Sequence, residues 1–530
     1  MSSAALTLEQ DVWVPKFNPW LIAVVVALAA FMEVLDTSIA NVALPYMAGS
    51  LGASNDQSTW VLTSYLVSNA IILPISGWLA GTLGRKRFFM GCLAIFTVSS
   101  LLCGLAPSLG LLLFFRVLQG AGGGGLQPMA QAILADTFPP HQRGLAFALY
   151  GITAIMAPTI GPTLGGWITF SYSWRWIFFI NIPVGIATWF LVRRFVEDPP
   201  YLSKLKAAGL KLDYIGIALL ALGIGALQVL LDKGQEDDWF GSRFITTLVI
   251  VATVCLISLV IWEWFQKAPI IDVRMFKSFN FASANLMMFT LGILLFSSLV
   301  LMPQFLQTLL GYTSQLAGIA LSAGGLVLLF EMPIMGKLTT KFQARWLIAF
   351  GWLALSVAMF YSTKRIDLLI SFRAAVLLRI AQVIGLGFLF VPITLVAYIG
   401  IAPEKNNAVA GIVNFMRNMG SSVGTSLVTT LIARRAQFHQ LRLVQNARPD
   451  NPNFQNAVNG LAQHLAQSGL SPHEARMGAF ARIYQGLQAQ AASLAYIDTF
   501  MVLAVGAGIM FLLSFVLKKN DPGGGAQIVE

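Results

Sequence analysis

Charge is what this sequence has least of. Asp, Glu, Lys and Arg make up 11% of its 530 residues, against 57% apolar residues, where a soluble domain carries about 25% charge. That balance excludes an ordinary soluble globule and a disordered chain, and reads as a polytopic membrane protein. Cysteine is scarce as well. The three, Cys92, Cys103 and Cys255, all fall inside apolar runs. Cys92 and Cys103 would sit about 16 Å apart along one helix, too far to bridge, so neither a disulfide framework nor a metal site is readable. The four histidines, His141, His439, His464 and His473, lie outside the apolar runs, which leaves no imidazole relay at membrane depth. No Gly-x4-Gly-Lys-Ser/Thr loop is present, and no basic-side segment is long enough for a motor domain, so the energy must come from an ion or substrate gradient. Gly120 to Gly125 matches the dinucleotide fingerprint in form, but inside an apolar run with no strand before it the match is empty. Helix packing or a hinge accounts for those glycines. No nucleophile–base pair or metal set lies at depth, so an enzyme is not expected.

What is present is a long series of apolar runs able to cross about 30 Å of hydrocarbon. They lie near 20–45, 58–82, 88–106, 110–135, 144–169, 176–195, 212–231 and 244–265, then 281–310, 316–336, 346–362, 374–402, 407–433 and 494–517. The first is too long for a signal-peptide core and has no small-x-small cleavage site, so it reads as an uncleaved span. The count of about fourteen is even, which puts both termini on one side. The net charge of +11 could suggest nucleic acid, but the basic residues sit in short clusters between runs. With a cytoplasmic N-terminus the inside segments hold 19 Lys and Arg and the short outside loops 6, the asymmetry that sets orientation.

An internal repeat runs through the chain. Pro74 to Gly77 and Pro333 to Gly336 stand 259 residues apart, as do Gly161 and Gly165 from Gly420 and Gly424. Arg116 and Gln119 match Arg379 and Gln382 at 263, and Pro45 matches Pro303 at 258. The expected fold is therefore all-α, with two six-helix halves and an inserted helix pair, substrate binding at mid-membrane between the halves. The divisions are an N-terminal cytoplasmic segment 1–19, a first half 20–195, an inserted pair with its loops 196–280, a second half 281–517, and a disordered cytoplasmic tail 518–530. Within the second half, 434–493 reads as an extramembrane helical hairpin. Phe454, Val458, Leu461 and Leu465 follow helical spacing, as do Met477, Phe480, Tyr484 and Leu487, and Ser471 to Glu474 is a capping-box start.

Few ionisable groups lie at membrane depth: Glu33, Asp36, Arg116, Glu331, Arg379 and Arg417. Each is costly there and is a functional candidate by default. Glu33 and Asp36 share one side of a helix about 5–6 Å apart at Cβ. Burial favours the protonated form of a carboxyl and a neighbouring Arg the ionised form. An aspartate alternating between the two would bind and release protons, with Glu33 able to titrate alongside it; the alternative is a static buried pair of Asp36 and Arg116. Candidates for the substrate cavity are Glu33, Asn41, Gln119, Glu331, Arg379, Gln382, Asn414 and Arg417. Pro158, Gly161, Pro162, Gly165 and Gly166 suggest a hinge or tight gate.

These stretches together resemble the major facilitator superfamily, in particular its fourteen-span drug:proton antiporters and the EmrB-like exporters. Leu35 to Pro45 is similar to the first-span signature, Arg116 to Gly120 to the fourth-span motif, Pro158 to Gly166 to the fifth-span antiporter motif, and Trp174 to Pro183 is also typical. Gly77 to Arg87, with Gly77, Gly84, Arg85 and Arg87, resembles the cytoplasmic loop motif, although Gly81 stands where an acidic residue is common. The resemblance implies the major facilitator fold and proton-driven export of amphipathic toxic compounds, with Asp36, Glu33 and Arg116 in proton coupling and no cofactor beyond the gradient. It also implies a multi-pass protein of a Gram-negative inner membrane whose outside hairpin docks a periplasmic adaptor (membrane fusion protein) and, through it, an outer-membrane channel. Export of one endogenous metabolite, such as a siderophore, fatty acid or lipid, is the alternative; a non-transporting sensor is a third.

Overall fold

The structure, a computed structural model, describes residues 15–200, 213–267 and 269–519. The expected N-terminal segment up to residue 14, the loop holding Lys204, Lys206 and Lys211, and the tail from residue 520 lie outside the described residues. Every regular element among the described residues is a helix, as hydrocarbon demands of backbone that must satisfy its own polar groups.

The first half holds α1 (Pro19–Leu51), α2 (Asn55–Leu83), α3 (Arg85–Leu105), α4 (Leu109–Gly123), α5 (Leu126–Thr137), α6 (Arg143–Ser171), α7 (Trp176–Phe179) and α8 (Asn181–Phe195). The inserted pair is α9 (Tyr214–Lys233) and α10 (Arg243–Phe265). The second half holds α11 (Phe279–Thr308), α12 (Ser314–Leu338), α13 (Ala344–Arg365), α14 (Phe372–Tyr398), α15 (Asn406–Val444), α16 (Pro452–Gln467) and α17 (Pro472–Ser514). The fourth apolar run is thus two helices, broken at Gly124 and Gly125. These glycines admit close neighbours: a Cβ on Gly124 would lie 2.7 Å from the Asn69 carbonyl oxygen, and one on Gly125 2.4 Å from Cys92 Sγ.

Thirteen helical stretches among the described residues are long and apolar enough to span a membrane. The remaining expected span, α15, falls short for a physical reason. Its Asn418, Ser421, Ser422, Thr425, Ser426 and Thr429 recur at helical spacing along one face, and that face lines a cavity. With α15 the count reaches the expected fourteen.

The two halves pack alike. In the first, α1 lies on α6; in the second, α11 lies on α15. Small residues set both contacts. A Cβ on Gly165 would come 3.0 Å from the Ile39 carbonyl oxygen, and one on Gly424 2.6 Å from that of Ile293. Across the halves, α2 meets α15 and α6 meets α12. Where α1 begins, the basic end, the halves touch. A Cβ on Gly77 would sit 2.8 Å from Ala408 Cα, and one on Gly336 2.8 Å from Leu145 Cα.

At the opposite end α15 runs on beyond the bundle and is followed by α16 and the start of α17, which form the hairpin. Val458 and Leu465 are buried against Ala475 and Ala479, flanked by Phe454, Leu461, Phe480 and Ile483. The Ser471 hydroxyl accepts from the Glu474 backbone N–H, and the Glu474 side chain returns the contact. The apolar face of α17 differs from the expected one in two places: Met477 is 57% and Tyr484 50% exposed. Two apolar series share that helix, and the one carrying alanines packs inward because it lets α16 approach closely.

Candidate functional site

Between the halves lies a cavity of about 610 Å³. Its walls come from α1, α2, α5, α6, α9, α11, α12 and α15, and it reaches Asp232, Lys233 and Glu236 at the hairpin end. Glu236 is 43% exposed, so the cavity opens there. Its lining combines polar groups, Asn41 and the hydroxyl-bearing face of α15 among them, with apolar ones, Leu62, Leu66, Phe296, Leu299 and Leu321. Such a surface suits an amphipathic molecule. The first helix of the inserted pair, α9, belongs to this lining. Thr63 of α2 donates to Asp232, Lys233 reaches Thr59, and Gln228 Nε2 donates to Ser422 Oγ at 2.9 Å.

Of the expected cavity residues, Glu33, Asn41 and Arg417 line the wall. Asn414 lies just beneath, where its Oδ1 accepts from Tyr150 Oη at 2.8 Å and its amide donates to Gln131. Gln119, Arg379, Gln382 and Glu331 are instead buried inside their own halves, because their helix faces turn toward neighbouring helices. Arg379 Nη1 donates to Ser298 Oγ at 2.8 Å, and Gln382 Nε2 to Ser362 Oγ at 3.0 Å. Glu331 packs against Gly387, and neither carboxyl oxygen has a hydrogen-bond partner.

Glu33 and Asp36 share a helix but not their surroundings. Asp36 points into the first half, where Arg116 Nη1 meets its Oδ2 at 2.6 Å. Its Oδ1 accepts from Gln119 Nε2 at 3.0 Å and from Asn181 Nδ2 at 2.7 Å. Arg116 also donates to the Val61 carbonyl, at 3.0 Å, and its guanidinium lies 4.2 Å from the centre of the Tyr65 ring. Both charges are fully buried, the condition under which loss of one partner costs most. Glu33 accepts from Tyr65 Oη and Asn69 Nδ2, each at 3.0 Å, and from the Gln127 amide. Sequence reasoning did not find Tyr65, Asn69, Gln127, Tyr150 or Asn181. They are uncharged polar residues inside spans, and which of them meet a carboxylate depends on how helices cross.

The Pro/Gly stretch of α6 sits on α1. A Cβ on Gly161 would come 2.3 Å from Ser38 Oγ, whereas one on Gly166 would meet nothing nearer than 3.9 Å. Pro162 has no N–H to offer the Pro158 carbonyl, and the Ser38 hydroxyl donates to that carbonyl at 3.1 Å instead. Pro158 and Pro162 both line the cavity.

At the basic end Gly84 takes φ +89° to turn α2 into α3. Arg85 then meets Asp136 of α5 at 2.5 Å, and Asn406 Nδ2 of the second half donates to Asp136 Oδ1 at 2.6 Å. Asp136 thus links the first half's loop to the second half. Arg87 is exposed.

Residues 26–425 match the model of the Major Facilitator Superfamily. The chain is 38% identical over 435 residues to the multidrug export protein EmrB of Escherichia coli (strain K12), covering 82% of this chain and 84% of that one. It is 39% identical over 446 residues to the fatty acid resistance protein FarB of Neisseria gonorrhoeae, covering 84% and 86%. Among solved structures, the proton:xylose symporter XylE aligns with a TM-score of 0.60 at 14% identity, over 94% of this chain and 96% of that one.

Proposed function

Because the chain belongs to the major facilitator superfamily, on its EmrB-like multidrug export branch, we propose that it exports amphipathic toxic compounds in exchange for protons. The observation that carries this reading is the buried Asp36–Arg116 pair one turn from Glu33, which lines the open cavity. A carboxylate so placed can hold a proton taken from the hairpin end and lose it once the basic end opens. The basic end is cytoplasmic on the charge rule, with both termini there, and the membrane is the inner membrane of a Gram-negative cell. The closed basic end and the open hairpin end correspond to the outward-facing state, in which substrate leaves and a proton enters. Rocking of the halves about the small-residue seams of α6 with α12 and α2 with α15 would then reopen the cavity to the cytoplasm. The hairpin at 434–493 is the docking surface for a periplasmic adaptor leading to an outer-membrane channel.

The test is transport in inverted vesicles under an imposed proton gradient, with an amphipathic dye as cargo. Wild type accumulates dye and leaks protons as it does so; Asp36→Asn does neither. Dye-coupled proton flux at the wild-type rate in Asp36→Asn contradicts the assignment. The similarity to a fatty acid resistance protein supports a second reading, one endogenous amphiphile such as a fatty acid or lipid. Resistance profiling against dyes and fatty acids separates the two.

A further inference from the structure

The floor of the cavity carries a contact between the halves that runs through one neutral side chain. Gln127, in the first turn of α5 just after the Gly124–Gly125 break, donates its amide nitrogen to Glu33 Oε2 of α1. Its Oε1 accepts from Arg417 Nη2 of α15, in the opposite half. All three side chains are at least 96% buried within the chain. Chemistry fixes the direction of the amide. A guanidinium has donors only, so the carbonyl end of Gln127 must face Arg417, and its NH2 end is left for a carboxylate that can only accept. An amide has one donor end and one acceptor end. It can therefore satisfy an ionised Glu33 and Arg417 together only in this one orientation.

We propose that Gln127 relays the proton occupancy of Glu33 to Arg417, and that this relay holds the basic end shut until Glu33 is protonated. The proposal rests on the proton-coupled reading above. Protonation adds an O–H to Glu33 and removes its need for three donors. Pairing that O–H with Gln127 Oε1 turns the amide over, which then offers NH2 to Arg417; two donors face each other and the contact between halves is lost. Tyr150 Oη lies 3.4 Å from Gln127 Oε1 and 2.8 Å from Asn414 Oδ1, so the same floor also loses a stake in the amide's position.

The groups facing Glu33 are few. Tyr65 comes from α2, Arg417 from α15, Tyr150 from α6 through Gln127, and Asp36 lies one turn along α1 with Arg116 of α4 beyond it. Asp36 is already held by Arg116, Gln119 and Asn181, all of the first half. A proton there has no direct path to Arg417; a proton on Glu33 has one through Gln127. Gln127 is thus a positioning residue, and the sign fits an exchanger, because a proton loaded from the open side releases the floor that keeps the other side closed.

The experiment uses full-length protein in lipid nanodiscs, with the three cysteines replaced and spin labels at the exposed basic-end positions His141 and Glu404, one in each half. Distance distributions are recorded without substrate at pH 8.5 and pH 5.5. In wild type the ratio of long to short distances should rise about tenfold on acidification, a usual size for coupling between two sites. Glu33→Gln and Gln127→Leu should each flatten that response, and combining them should add nothing further. Gln127→Glu gives Arg417 a permanent partner and should keep the distance short at both values. A Gln127→Leu protein that follows the wild-type curve, or a Gln127→Glu protein that opens as wild type does, overturns the relay. In that case Asp36→Asn still decides the transport reading. Absence of both the wild-type response and dye-driven proton flux overturns the two together.

Discussion

The two halves carry the same arginine in the fourth span and use it differently. Arg116 is paired with Asp36 and supported by Gln119; Arg379, with Gln382 beside it, reaches only the Ser298 hydroxyl and has no carboxylate partner among the described residues. The spacing that aligns Pro45 with Pro303 puts Leu294 where Asp36 stands. Gln119 and Gln382 diverge in the same way: one donates to Asp36, the other to Ser362. The packing devices of the repeat persist in both halves, at Gly161 and Gly165 and at Gly420 and Gly424, but a carboxylate partner for the fourth-span arginine stands in the first half alone among the described residues. The repeated glycines let helices pack closely within each half, while the first-half pair of Arg116 and Asp36 is the one we propose couples transport to protons.

That contrast can be broken by substitution, and the largest effect belongs to the first-half arginine. Arg116→Met leaves Asp36 buried beside an apolar chain and should cost about 3–5 kcal/mol, seen as a fall in thermal stability together with lost export. Gly165→Leu and Gly424→Leu should come next. Each overpacks a seam, at about 1–3 kcal/mol, and the two halves should respond alike; a penalty in only one would show that the repeat is not structural. Ser471→Ala removes an N-cap in the hairpin, away from the packed bundle, and should cost about 1 kcal/mol, confined to faster amide exchange in the hairpin. The smallest loss should come from Arg379→Met. A buried cation without a carboxylate gains little from its charge, so its replacement should leave stability unchanged or raised.

Much of this was legible in the residues. Opposite charges at membrane depth are rare enough that Asp36 and Arg116 select each other, and the Pro/Gly repeats gave the two halves and their seams. The α15 cavity face is legible too, since the spacing from Asn418 to Thr429 is helical. Rotation of each helix about its own axis was not. Glu331 and Arg417 look equivalent as isolated charges in spans, yet one packs on Gly387 and the other lines the cavity. Uncharged partners were also hidden: Gln127 and Asn181 acquire meaning only when α5 and α8 cross α1. The carboxylate that pairs with the loop's Arg85 came from a different helix, at Asp136.

The claim that proton coupling resides in the first half is tested most directly by counting protons. Purified protein in weakly buffered detergent is mixed with an amphipathic dye, and the protons released on dye binding are measured for wild type, Asp36→Asn and Arg379→Met. Wild type and Arg379→Met should release protons alike, while Asp36→Asn binds dye and releases fewer. Unchanged release from Asp36→Asn, or its loss in a folded Arg379→Met protein, would contradict the account.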